Sequence, residues 1–203
     1  MIHAPHFKEL FAIEHGFGTR DEESWLPSAG HAWAKQIHSD RVIRATTEGL
    51  QGEADAVVTT VPELWVSIRT ADCLPILLAD PGAGVVAAVH AGWRGTAAKI
   101  VAKTVEKMVE LGAELTTIHA AIGPGIGLCC FEVGPEVSSE FGVTGRSCID
   151  LAGVNERQLQ LAGLELENIW ISAQCTKCNP ELFHSYRAEP GTAGRMVSAI
   201  RLV

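Results

Sequence analysis

Two segments near the middle of the chain, LPILLAD at 74–80 and GVVAAVHA at 84–91, are almost wholly apolar. Strands with both faces covered, by helices or by another sheet, have this pattern. Only Pro81, Gly82 and Ala83 lie between them, a turn short enough to predict an antiparallel pair. Shorter strands precede. HAWAKQIH at 31–38 alternates apolar and polar positions and is read as a strand ending at His38, with RVIRA at 41–45 as its hairpin partner across Ser39 and Asp40. ADAVVTT at 54–60 and LWVSIRT at 64–70 add two more strands, separated by a turn at Pro62 and Glu63.

After residue 94 the period changes. Ala97, Ile100, Val101, Thr104, Val105 and Met108 recur at helical spacing, which predicts one helix over 95–112 that starts near Thr96 and stops at Gly112. A strand over 116–122 then runs into GPGIGLCC, where Gly123, Gly125 and Gly127 are expected to permit backbone conformations closed to other residues. Helices are predicted over 135–141 and 153–163, and strands over 168–173 and 195–202. Many strands with a minority of helices predict an α/β (α+β) protein, layered, with helices outside packed mixed sheets. The chain has 203 residues and no long polar linker, so one domain over 1–203 is expected, burying about 70% of the unfolded surface.

Charge and composition narrow function by exclusion. A net charge of −8 and a pI near 5.5 leave no broad basic footprint for nucleic acid or an anionic membrane. Any anionic substrate must be held by local arginines. No segment has the length of a membrane span. Residues 1–20 are interrupted by His3, His6, Lys8, Glu9, Glu14 and His15, and hold no apolar run of signal-peptide length. The cytoplasm is the expected compartment, where six cysteines are thiols or ligands rather than disulfides. Cys175 and Cys178 form one CxxC without a second half, and Cys129 and Cys130 are neighbours. Both pairs are read as packing or redox-neutral thiols.

The candidate chemistry sits at strand ends. VHAGWRG at 89–95 puts His90 at the end of an apolar strand, QIH supplies His38, and TADCLP supplies Cys73 where a strand begins. Two imidazoles and one thiolate suit a catalytic zinc, which commonly has three protein ligands and one open position. The plainer alternatives are a satisfied polar histidine and a small buried hydrophobe. Arg94, at a helix start, is either an anion contact or a solvated arginine. The glycine loop either cradles an anion or turns the chain, and it lacks the lysine of a P-loop. FHSYRAEPGTAGR at 183–195 gathers His184, Tyr186, Arg187 and Arg195, either as a pocket wall or as an exposed loop.

Six motifs in order, QIH, TADCLPILLAD, VHAGWRGTAAKI, AAIGPGIGLCCFEVG, CTKCNPELF and SYRAEPGTAGR, resemble the YfiH-like family, also called laccase-domain or polyphenol oxidase proteins. The resemblance runs from about residue 11 to the C-terminal end. It implies a layered α/β/β/α fold and a zinc site matching His38, Cys73 and His90. It also implies purine nucleoside phosphorylase activity on adenosine, inosine and S-methyl-5'-thioadenosine, with adenosine deaminase activity alongside. Purine nucleoside and phosphate are then the partners, and the state expected is a monomer or small homo-oligomer. Arg20 aligns with the arginine of the family's GF-x-TR element, and Arg20, Arg94 and Arg187 are the candidates for phosphate or ribose contacts. Asp21 to Ser24 replace the usual Gly-Gly-Val-Ser, the Ser-Leu-Asn-Leu-Gly segment with its helix is missing, and Ala188 replaces the second arginine of SYRR.

Three other readings compete, one of them a non-enzymatic metal-binding or nucleotide-sensing module. Cys73 activated by His90 would make a cysteine hydrolase or deamidase, with His38 as orienter. A copper-binding polyphenol oxidase (laccase) fits less well, because the chain has eight histidines and no His-x-His pair. Copper(II) can still take the same three ligands, since it outranks zinc in intrinsic affinity.

Overall fold

A computed structural model describes residues 1–10, 12–21, 25–27 and 29–203. The chain begins with strands β1 (Ile13–Phe17), β2 (His31–Lys35), β3 (Val42–Ala45), β4 (Gly49–Glu53), β5 (Ala56–Thr59), β6 (Trp65–Thr70), β7 (Leu74–Asp80) and β8 (Val85–Ala91). Helices α1 (Trp93–Ala97) and α2 (Ile100–Glu110) follow, then β9 (His119–Ile122), β10 (Glu132–Val133), α3 (Pro135–Ser138) and β11 (Ser147–Cys148). The last elements are α4 (Leu151–Leu161), β12 (Ile169–Ile171) and β13 (Met196–Leu202).

The apolar pair β7 and β8 is antiparallel, as its three-residue turn predicts, and every residue of both strands is buried. They lie at the centre of a six-stranded sheet ordered β12-β9-β7-β8-β5-β3. Side chains alternate across this sheet. Ile76, Leu78, Val85, Ala87 and Val89 pack with Ile100, Val101, Val105 and Met108 of α2 and with Leu151 and Leu159 of α4. Leu77, Ala79, Val86 and Ala88 instead meet Val66, Ile68, Ile200 and Leu202 of a second sheet, ordered β1-β13-β6-β2-β4. Both sheets mix parallel and antiparallel pairs. Trp25 and Leu26 cover the outer face of the five-stranded sheet against Trp65, Val197 and Ala199. The result is the layered, mixed-sheet α/β fold predicted from the pattern. No helix among the described residues is long and apolar enough to cross a membrane.

Three local expectations change. β2 and β3 are not a hairpin: β2 pairs with β4 and β6 in one sheet, β3 with β5 in the other. The strand ends at Lys35, and residues 36–41 carry the chain between layers, which places His38 in a loop. The predicted 95–112 helix is two helices, broken at Lys99, whose φ is +62°. There Thr96 is engaged from α4, because Asn155 Nδ2 donates to its hydroxyl and Gln158 Nε2 to its carbonyl. The apolar period runs through the break and so conceals it. Gly123, Gly125 and Gly127 do not have positive φ; space requires them, since a Cβ at Gly125 would lie 2.5 Å from Leu74 Cδ2 and one at Gly127 3.2 Å from Cys175 Cβ. β1 was not foreseen, because IEHGF carries too few apolar side chains to stand out. Within the substituted segment 21–24, residues 22–24 lie outside the described residues.

Histidines dock the N-terminal segment. Buried His15 accepts the Ala4 N–H at Nε2 (2.9 Å) and packs edge-on against Phe7. Burial, followed by the charges of His3, His6 and Lys8, pushes His15 down to about 4. Burial and His119 push His6 down to about 4. Below the ordinary histidine value of 6.5 the unfolded chain therefore binds more protons than the folded one. The stabilisation is full above about pH 6.5 and is lost as pH falls towards 4. The melting temperature is expected to fall more steeply from pH 6.5 to 4.5 in the wild-type protein than in His15→Gln, and equal slopes would contradict this docking.

Candidate active site

His38, Cys73 and His90 converge at the edge where the two sheets meet. One donor atom from each lies within 4.8 Å of the others. The His38 and His90 rings meet edge to face, with centroids 4.9 Å apart. His90 is the penultimate residue of β8 and buried, Cys73 immediately precedes β7, and His38 is exposed in the crossing loop. Gly92 leaves room for this meeting, because a Cβ there would lie 3.0 Å from Cys73 Sγ and 3.4 Å from His38 Cδ2.

Behind the three stands Asp55, fully buried just before β5. Its carboxylate accepts His90 Nδ1–H (2.8 Å), the Ser39 hydroxyl (2.7 Å) and the backbone N–H groups of Ile37, His38 and Ser39. Burial alone would raise Asp55, but the hydrogen bonds from His90 and Ser39 outweigh it and bring the carboxyl to about 2. An ionised Asp55 requires the proton on His90 Nδ1, which leaves Nε2 to face Cys73. The three backbone donors also hold His38 at φ +58°, a conformation that costs a non-glycine residue about 1–2 kcal/mol. Burial pushes Cys73 up, yet hydrogen bonds from His38 and His90 bring it down to about 6. Burial opposes charge on His90, while its bonds to Asp55 and Cys73 raise it to about 9. Without a metal, a thiolate and an imidazolium are thus favoured here.

The three residues open onto a cavity of about 540 Å³, within the range of small-molecule sites. Arg69, Thr70, Asp72, Phe131, Tyr186, Arg187 and Arg195 are among the residues that line it further. Arg187 stacks over Phe131 at 5.4 Å and donates to the Glu132 carbonyl. The buried Thr70 hydroxyl has no hydrogen-bond partner among the described residues. Gln36 pairs its side-chain amide with both backbone groups of Arg69, as a strand would. Of the arginines singled out in the sequence, Arg187 and Arg195 line the cavity and Arg20 and Arg94 do not. Arg20 pairs with Glu189 at 2.7 Å, and exposed Arg94 stacks on Trp93.

Sequence reasoning missed Asp55 and Asp72. Asp72 has φ +82°, and its buried carboxylate accepts the Thr176 hydroxyl and the Arg187 N–H, both at 2.6 Å. It ties the 173–187 segment to the start of β7. The only sequence signal for either residue was an acid beside an apolar run.

Paired mixed sheets, with a His-Cys-His set at their edge whose donor atoms lie close enough to hold a metal ion, define a class of layered α/β protein. Residues 20–203 match the family described as multi-copper polyphenol oxidoreductase laccase, and the chain belongs to that family. It is 44% identical over 177 residues to a purine nucleoside phosphorylase of Deinococcus radiodurans, covering 82% of this chain and 68% of the relative. It is 39% identical over 191 residues to adenosine deaminase RL5 from an unknown prokaryotic organism, covering 82% of this chain and 72% of the relative. The crystal structure of YfiH from Bacillus licheniformis superposes with a TM-score of 0.82 at 32% identity, covering 86% of this chain and 74% of that one. The YfiH-like resemblance of the sequence motifs is borne out.

Asp72→Ala removes two hydrogen bonds and leaves the Arg187 N–H without its partner, at a cost of about 1–3 kcal/mol. Denaturant unfolding is expected to register that loss, with faster amide exchange over 173–187. Unchanged exchange there would contradict the tether.

Proposed function

We propose that this chain is a zinc-dependent purine nucleoside phosphorylase acting on adenosine, inosine and S-methyl-5'-thioadenosine, with adenosine deaminase side activity. The observation that carries this reading is the His38, Cys73 and His90 set at the mouth of an arginine-lined cavity. The donor set fits zinc: two imidazole nitrogens and a sulfur suit a borderline-soft cation, and they leave a position open. The Asp55 to His90 bond is the carboxylate support that metal-binding histidines usually have. A zinc ion held there would supply Lewis acidity and lower the pKa of a bound water.

The chain's own residues do the rest. Arg187, Arg69 and Arg195, which line the cavity, supply the positive charge that holds phosphate against ribose C1', with Arg69 and Arg195 in place of Arg20 and Arg94. In this reading Arg20 braces the wall through Glu189. Phe131 and Tyr186 offer flat faces to the purine, and the Thr70 hydroxyl is the uncommitted donor for charge that develops as the base departs. The same residues position adenosine for deamination. The net negative charge of the chain leaves nucleic acid and membranes out of this reading, and the protein acts as a cytoplasmic monomer or small homo-oligomer folded as one domain over 1–203.

One observation favours a second reading. The Cys73 thiol beside buried His90, lowered while His90 is raised, makes a thiolate nucleophile and imidazolium acid pair in the absence of metal, as a cysteine hydrolase or deamidase would use. Copper in place of zinc at the same ligands follows from the Irving–Williams order. Metal content and activity are therefore to be measured on the same sample. Chelation is expected to abolish both activities; full activity in metal-free protein would favour the cysteine reading.

Phosphate separates the two reactions. Adenine release is expected to require inorganic phosphate and to yield ribose 1-phosphate, while inosine formation from adenosine is not. Arg187→Ala should slow phosphorolysis about tenfold to a hundredfold more than deamination, the equivalent of one charge-assisted hydrogen bond of about 1.5–3 kcal/mol. Equal adenine release with and without phosphate would remove the phosphorylase reading.

A further inference from the structure

The second group of metal-capable side chains among the described residues is Cys129, Cys130, Cys175 and Cys178, whose sulfurs all lie within 4.8 Å of one another. They come from two segments: Cys129 and Cys178 are 49 residues apart in sequence. The bridge between Gly125 and Cys175, and the Thr176 N–H bond to the Gly125 carbonyl (2.9 Å), bring the segments side by side. The CxxC does have a partner pair, contrary to its sequence reading, and the vicinal cysteines are that partner.

The sulfur spacing distinguishes the possible roles. Cys130 Sγ to Cys178 Sγ is 3.4 Å and Cys129 Sγ to Cys178 Sγ is 3.6 Å. A disulfide needs about 2.0 Å, and all four cysteines are free. Four sulfurs placed tetrahedrally at about 2.3 Å from zinc would be about 3.8 Å apart. Apolar packing does not account for the cluster either, because Cys129 and Cys178 are exposed and only Cys175 is buried. The N–H groups of Gly127 (3.2 Å) and Cys178 are directed at Cys175 Sγ, as donors are to a ligating thiolate. Four thiolates at this separation repel one another unless a cation sits among them. A tetrahedral all-sulfur set selects zinc or iron among common metals, and it leaves no open position for substrate.

We propose that Cys129, Cys130, Cys175 and Cys178 form a closed, structural site for one zinc ion, separate from the His38, Cys73 and His90 site. Its place in the fold gives it a task. The Cys129 and Cys130 segment carries Ile126 and Phe131, and the Cys175 and Cys178 segment leads to Tyr186 and Arg187. All four of those residues line the catalytic cavity. The ion clasps two walls of that cavity, alongside the Asp72 carboxylate that tethers one of them.

The test is metal analysis of protein purified anaerobically with zinc. Cys73→Ala, which removes a ligand of the other site, is expected to retain one zinc per chain, with an X-ray absorption signature of four sulfurs at about 2.3 Å. Cys175→Ser/Cys178→Ser should bind one zinc fewer than the wild-type protein. A melting curve checks that this variant is folded, and the Cys73→Ala spectrum decides the matter if it is not. The Cys73→Ala arm does not depend on whether the catalytic reading holds. Zinc absent from Cys73→Ala, a shell dominated by nitrogen or oxygen, iron in place of zinc, or fewer than six titratable thiols in the denatured wild-type chain would each overturn the proposal.

Discussion

The Asp55 carboxylate is the constraint on which the site depends. It is fully buried, and burial of a charge is costly unless every lone pair is used. Here five donors use them: three successive backbone N–H groups, the Ser39 hydroxyl and His90 Nδ1. The same bonds fix the loop that carries the chain from one sheet to the other and set the tautomer of His90. Fold and chemistry therefore share one group. The layers meet where Asp55 sits, and the His38 loop cannot shift without losing those bonds.

The cavity wall is built on the same economy of backbone contacts. Asp72 does for the 173–187 segment what Asp55 does for the 36–41 crossing, its buried carboxylate accepting two short bonds. Gly125 and Gly127 let the 123–131 segment lie close against Leu74 and Cys175. Gln36 continues the pairing of β2 with β6 through its side-chain amide, which bonds both backbone groups of the cavity-lining Arg69. Three arginines line the cavity of a chain whose net charge is −8, so the positive charge is local to the cavity rather than a property of the whole surface.

Much of this was legible in the sequence where the signal is local. Two apolar runs around a three-residue turn specify β7 and β8, and His38, Cys73 and His90 stand out because each sits beside turn residues next to a strand-like run. The rest depends on partners distant in sequence. Adjacency suggested that β2 and β3 pair, but each finds a parallel neighbour elsewhere. Asp55 reads as the polar start of a strand, since its partner His90 is 35 residues away. The helix break at Lys99 follows from contacts made by α4, which the apolar period cannot reveal. Arg20 and Arg94 were singled out by motif alone, and motif does not say which way a side chain on a loop or helix end will point. Cys129 and Cys130 pair with the CxxC only once β9 and β12 are in register.

Asp55→Asn tests the central claim most directly, because the amide keeps the shape of the carboxylate and removes its charge. Zinc affinity at the His38, Cys73 and His90 site, measured by competition with a chelator on protein shown to be folded, should weaken about tenfold to a hundredfold. Phosphorolysis and deamination should fall together. A folded Asp55→Asn protein with unchanged zinc affinity and unchanged rates would contradict the account.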